Sequence, residues 1–200
     1  MFPRTGGRVV FNLLLPVPTD SPFPAQIFRH CPRCGARREE GQPIQPFHCT
    51  ACGFHYYFNA ALAVAGVLLG PDRRALFIRR ALEPARGKLA IPGGFVEIGE
   101  TAEAALRREV LEEVNLELAP PRFLCSAPNE YPYRGVTYPV LDLAFVAEVL
   151  DISRAAALDG VESYAWIHPR DVDLDEIAFP SIRDALRCFL RQESMNGQPG

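Results

Sequence analysis

The sequence predicts an α+β protein: a layered αβα domain on a mixed sheet, with a small cysteine-rich module in front of it. Three observations carry this. Strand-like apolar runs stand before, between and after two helix-like segments. Residues 60–69 form one continuous apolar run closed by Gly70-Pro71-Asp72, the pattern of a buried strand and a turn. Two Cys-x-x-Cys pairs lie upstream of that run. A chain of 200 residues suits one ordinary domain plus a small module. An apolar content of 48% excludes wholesale disorder. No run of about 18 apolar residues exists to cross a membrane. A net charge of −3, from 21 basic and 24 acidic groups, excludes a surface that binds nucleic acid through overall charge.

Residues 1–27 contain five prolines and no useful period, which predicts a poorly ordered or loosely docked arm. Arg4 and Arg8 precede an apolar stretch at 9–15, but Asn12 and Pro16 interrupt it and no small-residue cleavage site follows. Residues 28–57 hold Cys31-Pro32-Arg33-Cys34 and Cys49-Thr50-Ala51-Cys52, followed by Gly35 and Gly53. Each pair sets two thiols across a tight turn, so the two together offer four sulfurs to one Zn²⁺. The 14 intervening residues leave room for a short hairpin. Such a closed site is structural, and a module this small needs its metal to fold. Reduced, zinc-binding thiols predict a cytoplasmic location. Cys125 and Cys188 read as buried small hydrophobes.

The main domain is expected over 58–191. Residues 75–78 and 89–91 read as strands, the latter stopped by Pro92-Gly93-Gly94. Residues 101–114 read as a helix capped by Thr101. Short strand texture follows at 123–125, longer texture at 137–150, and another run at 164–167. A second helix is expected from a Ser181 cap, with Ile182, Ala185, Leu186, Phe189 and Leu190 on one face. Residues 192–200 read as a frayed tail.

The first helix carries the chemistry. At 100° per residue, Glu109, Glu112 and Glu113 share an arc of about 100°, adjoining the arc of about 80° held by Leu106, Val110 and Val114. The carboxylates therefore flank the apolar stripe instead of facing away from it, at the rim of whatever the helix packs on. Crowded like charges cost a few tenths of a kcal/mol per pair. Oxygen ligands on a rigid scaffold suit a hard divalent cation.

The surrounding pattern adds to this. Gly94 is followed after five residues by Glu100, after seven more by Arg108-Glu109-Val110, and then by Glu112-Glu113 and Leu116. This span of 94–116 resembles the Nudix box, the loop-helix-loop signature of Nudix hydrolases. Asn115 stands where that family usually has glycine, and Asn tolerates the left-handed conformation needed there. The resemblance extends over roughly 58–190 and implies a Nudix-like αβα sandwich. It also implies Mg²⁺- or Mn²⁺-dependent hydrolysis of a nucleoside diphosphate linked to another moiety. Carried over by position, Glu109, Glu112 and Glu113 are metal ligands, Arg108 holds them, Glu100 assists, and Gly94 allows close approach. Glu162 is the candidate fourth carboxylate.

A zinc ribbon directly before such a domain resembles the arrangement of NADH pyrophosphatases. Residues 126–134 retain part of that subgroup's downstream motif: Ser126, Pro128, Pro132 and the aromatic Tyr131. They lack its Trp, and Glu130 and Arg134 depart from it. Tyr131, Tyr133 and Tyr138 offer flat faces for a base. NADH, NAD or ADP-ribose fits as substrate. A sensor that binds ADP-ribose or NAD without cleaving it stays open. So does a hydrolase of capped RNA, should Arg33, Arg37, Arg38, Arg79, Arg80, Arg86 and Lys88 converge. The family resemblance is compatible with a homodimer.

Overall fold

A computed structural model describes residues 22–41 and 46–196. Residues 1–21 of the arm, residues 42–45 and the end of the tail lie outside the described residues. Among the described residues, three α-helices and eight strands follow in order: α1 (Pro24–Ile27), β1 (Phe47–His48), β2 (His55–Tyr56), β3 (Ala61–Leu69), β4 (Ala75–Arg80), β5 (Leu89–Ala90), α2 (Ala102–Val114), β6 (Arg122–Tyr133), β7 (Val136–Glu148), β8 (Val161–Ile167) and α3 (Pro180–Asn196). β1 and β2 form a hairpin of their own. The other six make one sheet of order β5-β4-β3-β7-β6, with β8 paired to β4. Only β3 and β7 run parallel, from Ala61↔Val140 to Leu69↔Glu148, so the sheet is mixed.

The layering follows from one strand. Ala65 and Gly66 are successive residues of β3 and so face opposite sides. A Cβ on Gly66 would meet Leu106 of α2. Ala65 instead lines a small void with Ser181, Ile182 and Ala185 of α3. The two helices thus cover opposite faces, and small residues on β3 let both approach closely. Val67 and Leu68 of β3 are fully buried between the layers, as are Leu76 and Phe77 of β4. Burying a Leu or Phe side chain contributes about 1.5–3 kcal/mol.

Past their shared end, β3 and β4 separate. The segment 92–96 fills the gap: the N–H groups of Val64 and Gly66 donate to the carbonyls of Gly94 and Pro92, and Val96 donates to Leu62. This lays Gly93 and Gly94 beside the sheet and under α2.

Three expectations need correction. Strand texture at 123–125 extends over the whole of β6, through Pro128 and Pro132. β6 is an edge strand, where missing N–H donors are tolerated. Ser181 is not a cap: α3 begins at Pro180, and the Ser181 hydroxyl donates to Asp142 instead. Among the described residues, the hairpin in the cysteine module lies around the second pair and not between the two. Before the main domain, Thr137 N–H donates to Pro22 O, tying the start of the described chain to β7.

Candidate active site and four-thiol cluster

α2 presents the acidic residues on a well-built scaffold. The Thr101 side chain accepts from Ala104 N–H, and Ala105, Leu106, Val110 and Val114 are wholly buried. The helix ends at Asn115, which adopts φ 55°, ψ 40° and donates its backbone N–H to Leu111. Its side-chain amide donates to Arg154 O at 3.0 Å. The last carbonyls, of Glu112, Glu113 and Val114, accept from Asp159, Leu158 and Ala156. These would otherwise be orphan acceptors.

Arg108 organises one side of the site. Its Nε and Nη2 donate to the two oxygens of Glu100, both at 3.0 Å. Nη1 reaches Glu109 at 2.8 Å and Glu112 at 3.3 Å, and Nη2 also donates to Phe95 O at 3.1 Å. The two-pronged pair to Glu100 is largely shielded, with 26% and 16% of the side chains exposed. The guanidinium holds Glu100 below the usual carboxylate range. Glu100 and then Glu109 raise Arg108 in return.

Glu109 and Glu113 are half-buried, and Glu112 is exposed. The Glu109 carboxyl rests on Gly94: a Cβ there would lie 2.4 Å from its Cδ. Burial raises Glu109, against the Arg108 bond that lowers it. Glu113 accepts Gly93 N–H at 3.0 Å. Burial pushes its carboxyl up to about 8; Gly93 and the more distant Arg80 lower it, while Glu109 and Asp159 raise it. Glu113 has no cation within ion-pair distance among the described residues.

The three glutamates line one flank of α2, but their oxygens do not gather. Glu109 and the more exposed Glu112 turn to Arg108, and Glu113 to Gly93. Among the described residues, the four cysteines alone place three or more ligand atoms within 4.8 Å of one another. A divalent cation nevertheless fits the set. The donors are hard oxygens, the glycine pair leaves a cradle that any side chain would fill, and a desolvated carboxyl awaits a positive partner.

Glu162 is exposed on β8, and Asp159 is among the charges that raise Glu113. Tyr131 packs edge-on to Phe95 at 5.3 Å and lies 6.1 Å from Phe179, so it does reach the edge of the acidic site. Tyr133 is one ring further out, with Arg134 over it. Tyr138 lines a separate cavity of about 580 Å³ with Phe28, Tyr56 and Phe58. Of the basic residues, Lys88 pairs with Glu176, and Arg38 lies over Phe47. Phe95, Phe179 and Asp159 were missed. Phe95 directly follows Gly94 and was open to detection; Phe179 and Asp159 arrive through tertiary contacts.

In the cysteine module the two pairs repeat one backbone pattern. Cys31 N–H donates to Ala36 O and Gly35 N–H to Cys31 O; Cys49 and Gly53 do the same with Phe54 and Cys49. The glycines take φ of 75° and 71°, which a side chain would resist. Sulfurs of Cys31 and Cys52 lie 3.7 Å apart, and those of Cys34 and Cys49 3.6 Å. A tetrahedron of Zn–S bonds has an edge of about 3.8 Å. Burial raises the Cys31 thiol, but backbone N–H groups of Cys34 and Arg33 bring it down to about 7. The Phe54 N–H lowers Cys52, yet burial and the neighbouring thiols push it up to about 12. Phe47 lies at the centre of this module, packed by Phe28, Phe54 and Phe58.

This architecture, with a glycine-cradled acidic helix on a mixed sheet, is that of a known family. The NUDIX domain profile matches residues 60–187, and the chain belongs to the NUDIX family. It is 30% identical over 170 residues to the "NAD-capped RNA hydrolase NudC" of Deinococcus radiodurans, covering 84% of this chain and 58% of that protein. It is 36% identical over 112 residues to the "ADP-ribose pyrophosphatase" of Methanocaldococcus jannaschii, covering 55% and 63%. A crystal structure of a NUDIX hydrolase from Nitrosomonas europaea superimposes with a TM-score of 0.64 at 25% identity, covering 86% of this chain and 95% of that one. The chain spans roughly three fifths of the length of the two curated relatives. Among the described residues, no helix is long and apolar enough to cross a membrane.

Proposed function

We propose that this chain hydrolyses the diphosphate bond of a nucleoside diphosphate linked to another moiety, of the NAD(H) or ADP-ribose class. Residues 58–191 form the catalytic domain and 28–57 a structural zinc ribbon. Glu109, Glu112 and Glu113 would hold Mg²⁺ or Mn²⁺, with Asp159 a better placed fourth carboxylate than Glu162. The bound cations supply charge neutralisation on the diphosphate and acidify a water. Arg108 steers Glu109 and Glu112 while Glu100 fixes Arg108. Gly94 leaves the space in which Glu109 sits. Tyr131 and Phe95 offer ring faces to a base. Cys31, Cys34, Cys49 and Cys52 take the Zn²⁺, which fits a cytoplasmic protein.

The observation that carries this reading is the half-buried carboxyl of Glu113 beside the Gly93-Gly94 cradle, which accepts Gly93 N–H and has no cationic partner among the described residues. A charged surface helix has no reason to desolvate it. The test is release of a mononucleotide from NADH or ADP-ribose in the presence of Mg²⁺. Activity should vanish in Glu113→Gln; tight binding without turnover by the unaltered protein would instead establish a sensor. A second reading, hydrolysis of NAD-capped RNA, is favoured by the names of the NudC relatives, one of which aligns over most of the cysteine module as well as the domain. Preference for capped RNA over free NAD in a direct competition would support it.

A further inference from the structure

The connection between β6 and β7 carries a residue that its backbone does not favour. Tyr133 and Val136 pair across the strands, so Arg134-Gly135 is a two-residue turn, and both residues take positive φ, of 48° and 78°. The first place of such a turn suits Asn, Asp or Gly, and a long side chain there costs stability. Arg134 is also a point where the resemblance to the downstream motif at 126–134 breaks. Its guanidinium is held over the Tyr133 ring, 5.1 Å from the centre. The side chain makes no hydrogen bond or ion pair among the described residues. A cation kept at an unfavoured position, oriented by a ring and without an anion of its own, is built to receive one.

The turn ends a surface that begins in the acidic site. Tyr131 and Tyr133, two apart on β6, face the same side of the sheet. α3 covers that side at Asp142, through Ser181, and Phe179 just before α3 reaches Tyr131. Beyond Phe179 the side opens, and Tyr133 is 44% exposed. Phe95 beside Gly94, Tyr131 and Tyr133 form one row, with ring centres 5.3 and 6.3 Å apart, and Arg134 closes it. With a diphosphate at the acidic helix and its base on Tyr131, the next place along the row holds a guanidinium fork that matches a phosphate. Arg134 stands two rings out from Phe95, past the place of the base, so the diphosphate is not its anion. The other anion that a nucleoside can carry is a phosphate on its ribose.

We propose that Arg134 is a specificity-determining residue that takes a phosphate on the ribose O2′ or O3′ of the nucleoside seated on Tyr131, with Tyr133 holding its guanidinium. ADP-linked compounds that carry this phosphate are then preferred over those that lack it. This rests on the diphosphatase reading above. The test measures calorimetric binding, with Mg²⁺ present, of AMP, adenosine 2′,5′-bisphosphate, adenosine 3′,5′-bisphosphate and the dinucleotide pApA. The last three separate a 2′-monoester, a 3′-monoester and a 3′-diester. Hydrolysis of NADH and ADP-ribose is followed alongside.

The unaltered protein should bind at least one of the three extended ligands at least about tenfold more tightly than AMP, and the ligand that gains most names the source of the phosphate. Arg134→Asn suits the turn, so its Tm should be no lower than that of the unaltered protein, while the gain over AMP falls to about twofold or less. Tyr133→Leu should lose part of the gain. No gain with any of the three overturns the inference, and so does a gain that persists in Arg134→Asn; continued hydrolysis in those cases leaves the diphosphatase reading intact. If Arg134→Asn does not fold, Arg134→Gln decides by the same ratio. An Arg134-dependent gain in a protein that hydrolyses neither NADH nor ADP-ribose removes the diphosphatase reading alone. Absence of both hydrolysis and binding removes both.

Discussion

Replacing Gly94 with alanine isolates the acidic site from the fold. The added Cβ would lie 2.4 Å from the Glu109 Cδ and Oε1. Ordinary carbon contacts begin near about 3.6 Å, so the carboxyl must retreat by about 1.2 Å. It is the far end of a flexible side chain and can do so at small cost to folding. The pair it forms with Arg108 is partly exposed and contributes at most about 1 kcal/mol. For a chain of this size that is a Tm change of about 2–4 °C. Misplacing a reacting group by about 1 Å costs on the order of 100-fold in rate. Gly94→Ala should therefore lose at least about 100-fold in kcat/KM for ADP-ribose while its melting curve stays near that of the unaltered protein. Gly93→Ala is the contrasting control. Its Cβ would meet the backbone carbonyl of Val64 at 2.0 Å, so it should lower Tm sharply. Near-normal turnover in Gly94→Ala would show that Glu109 in its cradle is not part of the chemistry.

Burial raises the Asp142 carboxyl against the bonds from Ser181 and Asn129 that lower it. A raised carboxyl stabilises the fold below its unfolded value of about 3.9, and that stability is lost as pH rises through the folded value. Asp142→Asn, which keeps an acceptor for both partners, should raise Tm at pH 7 more than at pH 4; equal shifts at both pH values would contradict this. Removing zinc with a chelator, or Cys49→Ser, should loosen the N-terminal module and leave the melting of the main domain in place; the check is zinc content against stepwise proteolysis. Asn115→Ala should cost about 1–2 kcal/mol by chemical denaturation, because alanine resists the left-handed conformation and loses the bond to Arg154.

Local signals were legible where one residue type has one physical use. Thr101 marked the start of α2, and Asn115 marked its end through its tolerance of positive φ. The flank position of the glutamates followed from helical period alone. The cysteine spacing anticipated a cluster that only tertiary folding could close. What could not be read depended on neighbours distant in the chain. β6 runs on past 125 through Pro128 and Pro132 because it lies at an edge, which nothing local announces. Ser181 had the composition of a cap, and its partner Asp142 is 39 residues away. The exposure of Glu162, and the nearness of Asp159 to Glu113, follow from a turn whose path is set by the end of α2.

That turn has a mechanical meaning. Residues 156–159 are stitched by three peptide N–H groups to the last carbonyls of α2, two of them belonging to Glu112 and Glu113. The backbone carrying the acidic side chains and the approach to β8 therefore move as one body. Lengthening the turn by a single residue would unpick the stitches and let the final turn of the helix fray, seen as faster amide exchange there. A change in the length of this short bend reaches the two glutamates directly.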